Sequence, residues 1–372
     1  MVAPEGFLFL YSAHPMTTEF DISLLHRAAR LAVKGHGTVE PNPMVGCIIT
    51  NKEGEIVGEG FHEKFGEAHA EVNALTMAGE SACGGTAYVT LEPCSHHGKT
   101  PPCSQALLDS GIARVVIGAV DPHKEANGGA VILRDHGIDV EILNDAMCSD
   151  IIAPFLQKNN TGLPWITCKW AQTSDGNIET SKGDSPWISC KESQQLVHEE
   201  RGCVDAIVVG VGTVVADNPT LTVRGATKYR TPIRVVIDPA LRTPLHSNVL
   251  NGDAPTLIVH VEGADTTAFC GHEVFALPID NGIMKLKPLF RHLSEAYDAT
   301  NVLVEGGATL FEHIFSQNLA NELWIFTAAH RSILPPRVNM NTLVDSLTTT
   351  LIDEQPSGVD SVTRLLVTPL IP

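Results

Sequence analysis

Thr86-Ala87-Tyr88-Val89-Thr90-Leu91 is a β-branched and aromatic run that stops at Glu92-Pro93-Cys94. Eight residues later Pro101-Pro102 lead into Cys103, and an apolar-periodic run to Ser110 is closed by Gly111. The first run reads as a strand and the second as a helix opened by proline and ended by glycine. The same alternation surrounds them. Leu24 to Val33, Ala68 to Met77 and Val131 to Asp135 read as helices; Val45 to Thr50, Arg114 to Val120 and Asp139 to Leu143 read as strands. Short strands separated by helices predict crossover connections, hence a mixed or parallel sheet covered by helices.

Chemistry sits at the ends of these elements. His69-Ala70-Glu71 opens a predicted helix, Cys94 follows a strand, and Cys103 opens a helix. One imidazole and two thiolates are a sound donor set for zinc, with a fourth position left for water. Helix N-termini favour thiolates because their partial positive charge lowers the thiol pKa. Zinc lowers the pKa of its water from about 15.7 to roughly 7, and Glu71 is placed to carry protons from that water to a departing amine. Zinc-dependent nucleobase deaminases use this arrangement with a shorter spacing between the cysteines. A closed, structural zinc site is the competing reading, with His96 or His97 as fourth ligand.

The 372 residues are enough for two domains. Hydrophobic residues at 43%, charged residues at 18% and a mean hydropathy of +0.06 describe a globular chain. The net charge of −18 repels polyanions, so nucleic acid is not an expected partner, whereas a small phosphorylated substrate needs only a local basic pocket. No apolar run is long enough for a membrane span. Phe7 to Leu10 is too short for a secretory core and lacks a preceding positive charge. The first fifteen or so residues read as a loose extension, with Met16 as an alternative start, and the cytoplasm is the expected compartment. Nine cysteines, an odd number, argue against a disulfide framework.

The string Thr90 to Cys103, together with Pro41-Asn42-Pro43-Met44-Val45-Gly46 and Gly66-Glu67-Ala68-His69-Ala70-Glu71-Val72, resembles the deaminase half of the bifunctional riboflavin biosynthesis deaminase/reductases. The resemblance spans nearly Asp21 to Ile142. It implies a cytidine-deaminase-like, three-layer α/β/α domain. The implied substrate is a diaminopyrimidinone with a phosphoribosylamino group, converted to its uracil analogue and ammonia. It implies a substrate contact for Asn42, while His96 and Lys99, donors beside the metal, suit the phosphate. After Asp121-Pro122 the chain departs from the family, with Gly128-Gly129-Ala130 where Gly-Arg-Gly is usual.

The polar stretch Gln157 to Gly162, ending at Pro164, reads as a boundary. Domains are therefore expected over 17–160 and 162–372, each folding on its own. Beyond it Trp165 to Ala171, Ala206 to Val211, Ile233 to Ile237, Thr256 to Val261, Val302 to Glu305 and Leu323 to Thr327 read as strands of a second α/β pattern. Lys169, Asp175-Gly176, Ser185-Pro186-Trp187-Ile188, Arg201, Asp205 to Gly210, Asp217 to Arg224 and Val304 to Leu310 resemble the family's reductase half. That half implies a dihydrofolate-reductase-like α/β fold and NADPH as cofactor. The resemblance implies NADPH contacts for Ala171, Trp187, Thr213, Asp217, Gly307, Ala308, Thr309 and Leu310. It implies substrate contacts for Ser185, Arg201, Leu221, Arg224 and Glu305. Physical reasoning agrees at Gly306-Gly307, a strand-to-helix turn fit for pyrophosphate, and at the two arginines, which suit a phosphate. A homo-oligomer is expected. Gln172-Thr173-Ser174 and Ala329 to Leu334 depart from the family, which leaves a deaminase with an inactive second half as the alternative.

Overall fold

The computed structural model describes residues 18–95, 101–121, 128–178, 188–332 and 338–368. The N-terminal extension, His96, His97, Lys99, Ser185 and Trp187 lie outside them. The chain divides into two compact units, one comprising the chain up to Lys34 with Met44–Ile151, the other Gly35–Pro43 with Ile152 onwards.

The first unit begins with helix α1 (Glu19–Ala32), capped by a Thr18/Asp21 capping box that satisfies the first free N–H groups. Strands β1 (Gly46–Thr50) and β2 (Ile56–Phe61) lead to helix α2 (Ala70–Ala78). Then come β3 (Thr86–Leu91), α3 (Cys103–Asp109), β4 (Arg114–Ala119), α4 (Gly129–Asp135) and β5 (Asp139–Ile142). The sheet order is β2-β1-β3-β4-β5. β1 is antiparallel to both neighbours, whereas β3, β4 and β5 run parallel. Strand side chains alternate between faces. Cys47, Ile49, Val115 and Ile117 pack with Ala70, Ala74, Leu107 and Leu133 from α2, α3 and α4, while Ile48 and Val116 pack with Leu24 and Ala28 of α1. Both faces are thus covered, giving the expected three layers.

Helix α5 (Ala146–Thr161) passes from one unit to the other. The polar residues Gln157 to Thr161 form its last turns rather than a loop, and the units part within it, after Ile151.

The second unit continues with β6 (Trp165–Thr173), α6 (Lys191–Arg201), β7 (Ala206–Gly210), α7 (Val211–Asp217), β8 (Ile233–Ile237), β9 (Thr256–Val261) and β10 (Glu273–Leu277). A short ladder of β11 (Ile279–Asp280) and β12 (Ile283–Met284) precedes α8 (Lys287–Ala296), β13 (Asn301–Glu305), α9 (Ala308–Ser316) and β14 (Glu322–Ala328). Helix α10 (Met340–Asp345) and the hairpin β15 (Thr349–Ser357) and β16 (Asp360–Val367) close the unit. Its sheet runs β10-β9-β8-β7-β13-β6-β14-β16-β15 and is parallel from β10 to β14. Phe290, Phe311 and Ile314 of α8 and α9 cover one face. Val197, Val211 and Val214 of α6 and α7 cover the other. No helix among the described residues is long and apolar enough to cross a membrane.

Candidate active sites

His69 is the N-cap of α2, Cys103 is the first residue of α3, and Cys94 follows β3. Two glycines make this convergence possible. A Cβ on Gly60 of β2 would lie 2.4 Å from the Ala70 carbonyl oxygen and the Ala74 nitrogen, so only glycine lets the start of α2 press on the sheet. A Cβ on Gly129 would come 1.9 Å from the Pro93 carbonyl oxygen, beside Cys94. The buried Glu92 carboxylate accepts N–H bonds from Asp121, Gly128 and Ala130 at 3.3, 3.0 and 3.0 Å. It thereby ties the departing Gly128-Gly129-Ala130 turn to the base of the Cys94 loop. Glu92 was given no role by its place in the sequence, because its partners are 29 or more positions away.

The three donor atoms, His69 Nδ1 and the Cys94 and Cys103 sulfurs, lie within 4.8 Å of one another. Nδ1 is 3.7 Å from Cys94 Sγ and 3.3 Å from Cys103 Sγ. A tetrahedral zinc with bonds of about 2.3 Å to sulfur and about 2.0 Å to nitrogen sets its donors roughly 3.5 Å apart, so the residues fit the ion. The backbone N–H of Cys103 donates to Cys94 Sγ at 3.3 Å, the helix-terminus stabilisation expected for a thiolate. Its hydrogen bond to Cys103 holds Cys94 down to about 4, whereas the same bond and burial push Cys103 up. Glu71 is 3% exposed. Burial raises its carboxyl above the usual range, against the opposing pull of His69. Among the described residues no fourth imidazole, thiol or carboxylate joins the group.

The second unit gathers a charge cluster at the C-terminal ends of neighbouring strands. Arg201, the last residue of α6, donates from Nε and Nη2 to the two oxygens of Glu305, the last residue of β13, both at 2.7 Å. Both were expected to meet substrate; that they meet each other was not foreseen. Lys169 stands opposite Glu305 in the β13–β6 ladder, with its ammonium 5.2 Å from the centre of the Phe326 ring. Burial pulls Lys169 below its ordinary value and Arg201 adds to this, while Glu305 opposes it. Arg224 is exposed and donates to Thr220 Oγ1 at 3.4 Å. Leu221 is buried at φ 50°, a left-handed backbone that is costly for a residue with a branched side chain. The fully buried Arg234 braces that loop by donating to the Thr220 carbonyl at 3.2 Å.

Of the expected NADPH contacts, Ala171 is near the end of β6, Thr213 and Asp217 lie on α7 just after β7, and Gly307 caps α9 just after β13. These three strands are adjacent and parallel, in the order β7-β13-β6, so their carboxyl ends open on one crevice edge, where open α/β sheets take ligands. Ala308, Thr309 and Leu310 form the first turn of α9. Asn42 donates its backbone N–H to the Val39 carbonyl within the 35–43 segment.

The two departures from the reductase pattern interlock. Ser174 N–H and Oγ donate to the His330 carbonyl at 3.0 and 3.2 Å, and Asn177 donates to Ser332 Oγ at 2.7 Å. Gln172 accepts from Trp170 and donates to Asn341 Oδ1, each at 2.8 Å. Ser174 thus joins the two altered segments directly, while the Gln172 partners lie on β6 and α10.

Comparison with known proteins places the family. Residues 18–119 match the family described as cytidine and deoxycytidylate deaminase zinc-binding region, and residues 164–330 match the RibD C-terminal domain. The chain is 40% identical over 319 residues to riboflavin biosynthesis protein RibD of Aquifex aeolicus, covering 84% of this chain and 88% of that protein. It superposes on Acinetobacter baumannii RibD with a TM-score of 0.77 at 33% identity, over 94% of this chain and 99% of that one. A Thermotoga maritima diaminohydroxyphosphoribosylaminopyrimidine deaminase/5-amino-6-(5-phosphoribosylamino)uracil reductase gives 0.78 at 32% identity, with the same coverage. With a metal-fit His69/Cys94/Cys103 triad in one unit and an Arg201–Glu305 ion pair at the end of a parallel strand in the other, the chain belongs to the RibD family of bifunctional riboflavin-biosynthesis deaminase/reductases.

Proposed function

We propose that His69, Cys94 and Cys103 hold the zinc of the deaminase and that Glu71 is its proton carrier. The substrate is 2,5-diamino-6-(5-phosphoribosylamino)pyrimidin-4(3H)-one. The observation that supports this reading is the donor triangle of 3.3 and 3.7 Å beside a buried carboxyl that is not one of its corners. Zinc, when bound, acts as a Lewis acid that makes a water acidic at neutral pH. Glu71 then takes a proton from the attacking water and delivers it to the amine, which leaves as ammonia while the ring carbon gains the oxygen. Its raised pKa suits a group that must both accept and return a proton. Asn42, His96 and Lys99 are assigned to substrate binding.

In the second unit, Arg201 and Arg224 bind the phosphate and Glu305 holds the Arg201 fork, leaving Arg201 Nη1 to face the ligand. Leu221 and Ser185 complete the substrate side. Ala171, Trp187, Thr213, Asp217 and Gly307 to Leu310 hold NADPH, which when bound supplies the hydride that converts the ribosyl group to ribityl. The chemistry divides along the chain at 17–160 and 162–372, with the 35–43 segment lent to the second unit. Nine free cysteines support the cytoplasm as its compartment. Self-assembly is part of the same reading.

Metal analysis of full-length Cys94→Ser tests the ligand set. Removing one thiolate from a three-donor site should lower bound zinc to a small fraction of one ion per chain. Full zinc content in this variant overturns the assignment.

A further inference from the structure

The segment Gly35–Pro43 lies between α1 and β1 in the chain, yet it packs with the second unit. It does so through charge. Glu40 is 8% exposed, and its Oε1 accepts from His36 Nδ1 at 2.9 Å and from the Gly37 N–H at 3.1 Å. The other imidazole nitrogen, His36 Nε2, reaches Glu200 Oε1 at 3.3 Å. Glu40 Oε2 accepts from Arg230 Nη2 at 3.3 Å, and Arg230 Nε donates to the Gly37 carbonyl at 3.0 Å. Arg230 Nη1 pairs with Asp205, whose second oxygen accepts the backbone N–H groups of Thr300 and Asn301 at 2.8 and 2.9 Å.

Two arms leave this cluster for the two elements that carry the reductase pair, α6 and β13. One runs from Glu40 through His36 to Glu200, the residue immediately before Arg201 at the end of α6. The other runs through Arg230 and Asp205 to Asn301, the first residue of β13, whose last residue is Glu305. Burial opposes a charge on His36, but Glu200 and Glu40 outweigh it and raise its pKa well above the ordinary value, so the arm through His36 is ionic at neutral pH. Enclosed ion clusters seldom add net stability over apolar packing of the same volume, because desolvating the charges costs about as much as their attraction returns. What such a cluster supplies is fixed geometry.

We infer that Glu40 is a positioning residue for the reductase step: together with His36 and Arg230 it sets the Arg201–Glu305 pair against the substrate. The inference rests on the reading that Arg201 and Glu305 meet the phosphorylated substrate, and it makes a residue from the N-terminal part of the chain part of the reductase machinery.

The test is steady-state reduction of 5-amino-6-(5-phosphoribosylamino)uracil by full-length Glu40→Gln, Glu200→Gln and Arg201→Ala. Glu40→Gln keeps size and removes charge. It should raise the KM for the uracil substrate about tenfold while the KM for NADPH stays within about twofold. Glu200→Gln, at the rim of the cluster, should move the same KM in the same direction by a smaller factor, and it decides the matter if Glu40→Gln does not fold. A scaffolding role alone predicts a smaller active fraction, so kcat falls with both KM values unchanged; that result overturns the proposal. If Arg201→Ala raises the substrate KM but neither glutamine variant does, the positioning role fails while the binding reading stands. If Arg201→Ala itself leaves the substrate KM unmoved, the binding reading fails and the proposal fails with it.

Discussion

Glu71→Gln is expected to retain one zinc per chain and to lose at least about 10²-fold in deamination rate, the usual contribution of a positioned general acid–base. Glutamine has the same length and the same carbonyl oxygen, so the 3% exposed pocket at the start of α2 should stay filled. What it lacks is an oxygen that can take a proton and give it back. None of the three metal donors is altered, which is why zinc content separates this variant from Cys94→Ser. Reduction of the already deaminated nucleotide by the same variant should proceed at the parent rate, because Glu71 lies in the first compact unit and the reductase cluster in the second. Glu71→Gln should also lose the acid limb of the parent deamination profile, because it has no carboxylate left to protonate. Normal deamination by Glu71→Gln would leave the mechanism without its base.

Residues whose chemistry restricts their neighbours were legible before any coordinates. His69, Cys94 and Cys103 stood out because a thiolate or metal-binding imidazole at a helix or strand end has few other uses, and the structure closes them to within 4.8 Å. Strands β3, β8 and β9 have the expected limits, since their β-branched runs are bounded by Gly, Pro and Asp. Strand β2 was not legible. Ile56-Val57-Gly58-Glu59-Gly60-Phe61 carries two glycines that weaken any strand reading, yet the packing of α2 requires them. The hairpin β15–β16 escaped for another reason. Thr349–Ser357 is an exposed edge strand carrying Asp353, Glu354 and Pro356, so it lacks the alternation that marks a half-buried one. Gln157 to Thr161 read as a linker because they are polar, whereas they continue a helix whose earlier turns supply the packing. The charge clusters were beyond reach. Arg201 and Glu305 are 104 positions apart, and Glu40 and Arg230 are 190 apart, so only the folded topology pairs them.

Arg201→Ala should reduce kcat/KM for the reductase step by about 10²-fold or more, with most of the loss in KM for the phosphorylated substrate. Two effects add. The guanidinium edge proposed to meet the phosphate disappears, and a charge-assisted contact of that kind contributes about 1.5–3 kcal/mol. Glu305 also loses a partner that holds it with two bonds of 2.7 Å, and breaking an enclosed pair by removing one member typically costs about 3–5 kcal/mol. The sign of the pH effect follows from the same pair. Burial pushes Glu305 up, and Arg201, with Lys169 and His198, more than offsets it, so the parent carboxyl sits below its ordinary value. Without Arg201 that carboxyl rises. The parent pair contributes stability above the unfolded glutamate pKa and loses it as pH falls through the lower folded value; in Arg201→Ala burial dominates, and stability is lost instead as pH rises and the unpartnered carboxyl ionises. Thermal melts from about pH 5 to pH 8 should therefore show the variant's stability deficit growing toward the alkaline end, where the buried Glu305 ionises without its partner, and shrinking where the carboxyl is protonated. Arg201→Lys retains the charge without the two-pronged fork, so it should restore the pH profile more fully than the KM. A variant that keeps the parent KM, whatever its melting temperature, would remove Arg201 from the substrate site and reduce the pair to a brace between α6 and β13.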